Sequence, residues 1–195
     1  MAVVIKCYFV DFFYTMTSTL IRNSTDSTFQ IYRLMRQHQA EFSTIVEYLG
    51  SCRKKIFPFI QQDELPQDLI NFQQVYVDDP LGCLICVKQQ HKIVAVIGFR
   101  AYDQRFSHLN LPEKNVVEVV RLYVEPAYRR TGIASVLVEY IKTHAIAQNV
   151  QTLYLHTHPF LLGAVEFWQY HHFQMMTQDH HDPVWQTIHM QYQLI

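Results

Sequence analysis

The sequence predicts an α+β domain in which helices flank a mixed central sheet. Two observations support this fold class. Three strand-like segments between residues 82 and 124 follow one another without an intervening helix, which is typical of antiparallel neighbours. After residue 124, helical and strand-like segments alternate to the end of the chain. At 195 residues and 49% hydrophobic residues, the chain can build one domain of ordinary size.

The N-terminal third predicts one short strand followed by helices. Residues 17–25 have strand-like composition. From Thr28 to Leu49, apolar residues recur at helical spacing, with Asp26 or Ser27 as the N-cap. A weaker helical segment is expected around residues 52–60, where Pro58 limits its length, and residues 66–69 are expected to form a connector.

The first 16 residues are apolar enough to raise the question of a leader peptide. Asp11 interrupts this run and no cleavage site of small residues follows, so we expect an N-terminal extension (residues 1–16) before a domain of residues 17–195. A translation start at Met16 is the alternative.

No apolar run approaches the ~20 residues of a membrane span, and the scattered cysteines suit a reducing compartment. We therefore expect a cytoplasmic protein.

The middle of the chain predicts a hairpin and a third strand. Gly82–Lys88 and Lys92–Arg100 flank the polar residues 89–91, and a polar loop over 102–115 leads to the strand Val116–Val124. Cys83 and Cys86 lie on the first of these strands. Because side chains three apart on a strand point to opposite faces, we expect no shared metal there.

The last third predicts helix, strand, helix and strand in turn. The helix over Gly132–His144 is followed by a strand at Thr152–Thr157 and a helix over residues 161–171. A final strand is expected within Trp185–Leu194.

Charge excludes a generic nucleic-acid or membrane-surface binder. Sixteen basic and 17 acidic residues give a net charge of −1, whereas such proteins need a cationic excess.

Without a cationic excess, a bound anion must be held by a local arrangement of residues. Residues 129–134, Arg-Arg-Thr-Gly-Ile-Ala, supply one at a strand-to-helix junction. The helix start exposes unpaired N–H groups, Gly132 permits close approach, and the arginines suit a phosphate or pyrophosphate. The alternative is a solvated arginine pair beside a glycine turn.

The residues around this junction resemble the signature of the GNAT N-acetyltransferase superfamily. "Leu122-Tyr-Val-Glu-Pro-Ala-Tyr128" precedes "Arg129-x-x-Gly132-x-Ala134", which matches the R/Q-x-x-G-x-G/A motif with Ala in the last position. Downstream, Ala164–Phe173 matches the family pattern A-x-x-F-Y-x-x-x-G-F, with Trp168 and His172 as departures. The resemblance implies the GNAT acyl-CoA N-acyltransferase fold over residues 17–195.

The resemblance also implies how acetyl-CoA binds. The pantetheine arm would lie beside Leu122, Tyr123 and Val124 and pair with their backbone. The pyrophosphate would lie against the Arg129 side chain and accept hydrogen bonds from the backbone of the next six residues: Arg130, Thr131, Gly132, Ile133, Ala134 and Ser135. The acetyl group would pass by direct attack to a primary amine of a small molecule or peptide, without a metal. The resemblance also allows a homodimer.

Glu118 is the candidate general base. It is a carboxylate within the apolar strand that leads to the junction, and period-2 alternation puts it on one face with Val120, Leu122 and Val124. Burial there would raise its pKa towards a useful range. Some bacterial GNAT proteins have a similar Glu facing the site, in a pattern that Glu118 and Arg121 match. The alternative is a structural ion pair with Arg121 or a place at a strand edge.

The general acid is less clear from the sequence. Trp168 stands where the family has Tyr, and an indole N–H does not release a proton near neutral pH. Tyr170 lies about 200° further round the helix and does not replace that phenol. A thiolate, with a pKa near 8.5, can leave without an acid. His156 and His158 are the other candidates.

Two alternatives to an acetyltransferase stay open. Loss of the family Tyr is consistent with a module that binds acetyl-CoA without catalysis. The second alternative is a metal-binding or interaction protein, because seven of the 11 histidines lie between His156 and His189. No carboxylate or thiol is arranged beside these histidines in the sequence.

Overall fold

A computed structural model describes residues 19–22, 28–59 and 64–194. Eight strands and four α-helices make up this part of the chain. The strands are β1 (Thr19–Arg22), β2 (Thr28–Arg33), β3 (Cys83–Gln89), β4 (Lys92–Ala101), β5 (Val116–Val124), β6 (Thr152–Thr157), β7 (Gln174–Gln178) and β8 (Ile188–Gln193). The helices are α1 (Phe42–Ile56), α2 (Gln67–Ile70), α3 (Ile133–Ala147) and α4 (Ala164–Tyr170).

The eight strands form one mixed sheet in the order β1-β2-β3-β4-β5-β6-β8-β7. Every neighbouring pair is antiparallel except β5 and β6. These two run parallel and pair only where Val116–Glu118 meets Thr152–Tyr154. The α+β class and the mixed sheet flanked by helices are therefore confirmed.

The two largest clusters of the core form one layer on each face of the sheet, and a smaller third cluster surrounds Tyr102 and Tyr154. Helix α3 packs Leu137 and Ile141 against one face, and α1 packs Ile45 and Leu49 against the other. Cys83 belongs to the first layer and Cys86 to the second, so their opposite orientation is confirmed. No helix in the described part of the chain is long and apolar enough to cross a membrane.

Most of the predicted elements after residue 82 are confirmed. The hairpin β3–β4 forms across residues 90 and 91, and β5 and β6 have the predicted bounds. Helix α3 continues three residues beyond its expected end, to Ala147, and α4 occupies Ala164–Tyr170 within the expected segment. Strand β7 was not predicted, because its alternation is weak and most of its side chains are exposed or half-buried.

The predicted helix from Thr28 to Leu49 is wrong over its first part and correct from Phe42 onwards. Residues Thr28–Arg33 form β2, which pairs with β1 and β3. Phe29 and Ile31 pack into one core layer and Tyr32 into the other, so the segment is apolar on both faces, as in an internal strand. A short apolar run of this kind does not distinguish strand from helix by periodicity.

The first long helix begins only at Phe42, after a 3₁₀ turn at Arg36–Glu41. This helix includes the first part of the separate helical segment that was expected at residues 52–60, and it ends at Ile56, before Pro58. The expected connector at 66–69 is helical from Gln67. The proposed caps Asp26 and Ser27 and the extension 1–16 lie outside the described residues.

Candidate active site

A cavity lies where β5 and β6 stop pairing. Beyond Glu118 and Tyr154 the two strands diverge, so the β6-facing edge of β5 from Val119 onwards has no neighbouring strand. The cavity in this gap has a volume of about 590 Å³. It reaches from the start of α3, at Ala134, to the C-terminal half of α1. Such a gap offers both an open backbone edge and an enclosed space.

A β-bulge reshapes β5 beside this cavity. Val120 pairs with Gly98 and Tyr123 with Val96, so two residues, Arg121 and Leu122, oppose one on β4. Arg121 takes a positive φ of 63°, which is uncommon for a non-glycine residue. The extra residue reverses the alternation of side chains that follow it.

The bulge corrects one expectation about Glu118. Leu122 and Val124 pack with the core layer of α3, whereas Val120 packs with the layer of α1. Glu118 therefore does not share a face with Leu122 and Val124. The sequence shows no sign of the bulge, because the added residue is neither glycine nor proline.

A buried ion pair holds the bulge residue in place. The Arg121 guanidinium donates through Nε (3.0 Å) and Nη2 (2.8 Å) to Oδ2 of Asp68, and Nη2 also lies 2.6 Å from Oδ1. The Tyr76 hydroxyl donates to the same carboxylate at 2.5 Å. Burial raises the pKa of Asp68, but the Arg121 charge and these hydrogen bonds outweigh it and lower that pKa.

Glu118 is fully buried and surrounded by donors. Arg100 donates to Oε2 from Nε (3.1 Å) and Nη2 (2.9 Å). Arg105 donates to Oε2 from Nη1 at 2.9 Å and to Oε1 from Nη2. The ring Nδ1 of His156 lies 3.0 Å from Oε1. The carboxylate therefore pairs with Arg100 and Arg105, and Arg121, named as its alternative partner, pairs with Asp68 instead.

The expectation that burial raises the pKa of Glu118 is wrong. Burial does act in that direction, but the hydrogen bonds from His156 and Arg105 and the charge of Arg105 lower the pKa well below its usual range. A carboxylate so strongly stabilised in its charged form is a poor proton acceptor near neutral pH. The geometry suits an anchoring role better.

His156 is the group that Glu118 orients. An ionised carboxylate can only accept hydrogen bonds, so the Nδ1 that faces it carries the hydrogen. Nε2 is then the basic nitrogen of the neutral ring, and it has no hydrogen-bond partner among the described residues. His156 lines the cavity and its side chain is 31% exposed. It follows that a base is available inside the gap.

The junction before α3 has the backbone that the sequence predicts. Gly132, at the N-cap, has φ 87°, and Arg130 has φ 64°. The first helical hydrogen bond runs from Val136 N–H to the Gly132 carbonyl at 3.1 Å. Within the described chain, no N–H group from Arg130 to Ser135 donates a hydrogen bond. Six consecutive free donors at a helix start form a site suited to an anion.

Several of the predicted coenzyme-binding residues meet at the cavity. Those that line it are Leu122, Tyr123, Val124, Arg129 and Ala134. The Arg129 Nε donates to the Val124 carbonyl at 3.1 Å, so this arginine bends back over the end of β5.

The other predicted side chains have structural partners. The Thr131 hydroxyl donates to the Tyr128 carbonyl at 2.6 Å, and Ile133 is in the core. The Ser135 Oγ lies 3.0 Å from Nε2 of His171. For these residues only the backbone N–H groups remain available to an anion.

Trp168 lines the cavity and is 7% exposed. Tyr170, which follows it on α4, is 75% exposed and does not line the cavity. The phenol that the family pattern has at position 168 is therefore not replaced by Tyr170. Across the described residues, no group of three or more His, Cys, Asp or Glu side chains is arranged to hold a metal ion.

Three features of the cavity were missed at the sequence level. Arg100 and Arg105 come from β4 and from the polar loop after it, and Arg53 comes from α1. Their sequence context shows no motif. A spacing signal exists only for α1, where Arg53 and Phe57 lie one turn apart and share a face.

Comparisons with known proteins agree with this geometry. The family model described as acetyltransferase (GNAT) family matches residues 43–173. A search of curated protein sequences found no significant match. Among solved structures, a GNAT-family acetyltransferase from Staphylococcus aureus Mu50 has 22% identity and a TM-score of 0.65, over 86% of this chain and 99% of that one.

Two further structures have the same fold at lower identity. The GNAT domain of PAT from S. lividans has 12% identity and a TM-score of 0.67, over 93% of this chain and 99% of that one. An aminoglycoside 6'-N-acetyltransferase complexed with coenzyme A has 16% identity and a TM-score of 0.62, over 85% and 97%. The family match spans well over half of the chain, and the divergent strands, the bulge and the helix-start junction lie within it. The chain belongs to the GNAT family of acetyltransferases.

Proposed function

We propose that this protein transfers the acetyl group of acetyl-CoA to a primary amine of a small molecule or peptide. One observation carries the proposal: a single cavity runs along the open edge of β5 and reaches Ala134, which lies within the run of free N–H groups at the start of α3. The first feature suits the amides of a pantetheine arm, and the second suits a diphosphate. Few other ligands need both.

The residues present fit this coenzyme. The N–H groups from Arg130 to Ser135 would hold the pyrophosphate, with the Arg129 side chain beside them. The backbone of Leu122 to Val124 would hold the arm, and an N–H near Tyr123 or Val124 would donate to the reacting carbonyl. When bound, the coenzyme supplies an acetyl thioester. The residues of this chain align that thioester with the amine.

Proton removal from the amine falls to His156. Its Nε2 takes the proton, while its Nδ1–H donates to Glu118 and fixes the ring. Glu118 is then a positioning residue, and Arg100 and Arg105 keep it ionised. We assign no general acid, because a thiol with a pKa near 8.5 leaves as thiolate without one.

The test has two measurements on the purified chain. Calorimetry measures coenzyme A binding, and a thiol-detection assay follows acetyl-CoA with amino acids, arylalkylamines, polyamines, peptides and aminoglycosides. We expect binding together with thiol release that depends on the amine. Binding without turnover on any amine would instead support a coenzyme-binding module, the second candidate, which the replacement of the family Tyr by Trp168 favours. Absence of binding contradicts both.

A further inference from the structure

The acceptor side of the cavity has a charge pattern that excludes a polycation. Two acidic residues line the cavity, Asp68 and Glu118, and both are fully engaged by arginines. Five arginines line it as well: Arg53, Arg100, Arg105, Arg121 and Arg129. Among the described residues of the lining, no carboxylate is left to meet an ammonium group. An acceptor with several positive charges would find repulsion here.

Among the described residues, neither Arg129 nor Arg53 pairs with a carboxylate; Arg129 donates to the Val124 carbonyl, which leaves Arg53 as the lining arginine without a partner. It lies on α1, is half-buried and lines the cavity. Among the described residues its guanidinium has no ion pair, hydrogen bond or ring contact. The other arginines on the acceptor side each bind a carboxylate. A partly buried guanidinium with free donors is a ready site for a carboxylate of the ligand.

One stripe of α1 faces the cavity. Its members are Leu49, Cys52, Arg53 and Ile56, which follow the i, i+3, i+4, i+7 spacing of a single helix face, and the C-cap residue Phe57, whose N–H donates to the Arg53 carbonyl, continues it. Within this stripe, Arg53 is the charged member and Phe57 the aromatic one. Because they lie one turn apart, a small ligand can contact both.

Phe57 belongs to a cluster of five rings, which we call the ring cluster: Phe57, Phe59, His158, Phe160 and Trp185. Ring centroids lie 5.8 Å apart for Phe57 and Trp185, and 5.1 Å apart for His158 and Phe160. The Nδ1–H of His158 donates to the Trp185 carbonyl at 3.1 Å, which fixes the ring at the cavity wall. Phe57 and His158 are the members of the cluster that line the cavity, and the other three rings pack against Phe57.

The ring cluster adjoins the base. The ring centroids of His156 and His158 are 5.6 Å apart. A guanidinium, a basic nitrogen and an apolar ring surface are thus arranged around one end of the cavity. They match the three groups of an α-amino acid, namely carboxylate, amine and side chain.

Resting on the proposed function, we propose that the acceptor is an α-amino acid with an aromatic or bulky apolar side chain. Arg53 binds its carboxylate, Nε2 of His156 meets its amine, and the ring cluster binds its side chain. The net positive lining disfavours the ammonium form of the bound acceptor, and the neutral amine is the form that reacts. The carboxylate offsets the charge of Arg53.

The test compares L-phenylalanine with phenethylamine, which is the same molecule without the carboxylate. We expect the wild-type protein to prefer L-phenylalanine, and Arg53→Gln to raise its KM by ~10–100-fold while leaving that of phenethylamine unchanged, because a hydrogen bond to a charged group is lost for one substrate alone. As a control, Lys54→Gln removes the neighbouring cation of the same helix and should leave the KM values of both substrates unchanged. Phe57→Ala, which removes the aromatic ring of the cluster that lines the cavity, should raise KM for both substrates and leave KM for glycine unchanged.

Several outcomes would overturn this assignment. If Arg53→Gln affects both substrates equally, Arg53 does not bind the carboxylate. If it weakens coenzyme A binding instead, Arg53 belongs to the phosphate end. A preference for kanamycin or spermidine over amino acids would reject the acceptor class and keep the acetyltransferase. Failure to acetylate any amine rejects both proposals.

Discussion

The ring Nδ1 of His156 lies 3.0 Å from Oε1 of the fully buried Glu118. The two residues join β5 and β6 at the point where the strands separate, since Glu118 belongs to the last paired position and His156 lies two residues beyond it. The carboxylate fixes which ring nitrogen carries the hydrogen. An anchored base at the apex of the cavity follows from the topology of the sheet.

Replacing His156 with Gln should abolish most of the turnover. Glutamine keeps a donor for Glu118 but removes the basic nitrogen, so we expect kcat to fall by ~10²–10⁴-fold with coenzyme A affinity unchanged. Thiol release and calorimetry measure the two quantities. His108→Gln, on an exposed histidine outside the cavity lining, is the control. Normal kcat in the His156 variant would remove this residue from the mechanism.

Glu118→Gln should lower turnover more than coenzyme affinity. The amide keeps the size of the side chain but leaves the Arg100 and Arg105 charges unpaired and no longer anchors His156. We expect the free energy of unfolding to fall by about 3–5 kcal/mol, which urea denaturation measures. A variant with wild-type turnover at every pH would rule out the positioning role.

Gly132 offers a test of the anion site with a matched pair of variants. Gly132→Asn and Gly132→Asp have the same size, and both residue types tolerate the positive φ of 87° at this position. Only the second adds a negative charge beside the free N–H groups. We expect the Asp variant to bind coenzyme A at least ~10-fold more weakly than the Asn variant, by calorimetry at low salt. Equal affinities would show that no phosphate lies there.

The ion pairs of Glu118 and Asp68 should make the fold sensitive to acid. Both carboxyl groups have a lowered pKa in the folded state, so their stabilisation is fully present above the unfolded-state pKa of about 4 and is lost as the pH falls below it. Urea denaturation between pH 7 and pH 2.5 measures this loss. Asp68→Asn should give lower stability at pH 7 and a shallower decline in acid. An unchanged decline would mean that Asp68 is not held by Arg121.

The buried His189 and the half-buried His144 should affect stability over a different pH range. Burial lowers the pKa of His144 and of His189 to about 4. The unfolded chain takes up these protons near pH 6.5, so the free energy of unfolding falls as the pH drops from about 6.5 to about 4. In His144, Nε2 is buried without a hydrogen-bond partner in the described part of the chain. His144→Phe should therefore flatten the stability curve in this range without loss at pH 7. A steeper curve would contradict the assignment.

The sequence predicted the elements that carry clear local signals. The apolar segment Val116–Val124 is closed by Pro126, and the helical spacing of apolar residues after Gly132 matches a single helical period. The prediction for Thr28–Arg33 failed because a strand that is buried on both faces has no alternation of apolar and polar residues. The weak pattern of β7 reflects its place at the edge of the sheet.

The backbone half of the site was predictable and the side-chain half was not. The glycine junction is local in sequence, so its position and φ follow from residues 129–135. Glu118 was found as a buried carboxylate, but its pKa direction depends on Arg100, Arg105 and His156, which come from separate elements. Long-range partners of this kind leave no spacing pattern. The bulge at Arg121 was equally hidden.

The most direct measurement is a crystal structure of the protein soaked with coenzyme A. The pyrophosphate should accept hydrogen bonds from the backbone N–H groups between Arg130 and Ser135, and the arm should lie in the gap between β5 and β6. A gap without density at saturating coenzyme, or a coenzyme bound elsewhere on the surface, would contradict the central claim.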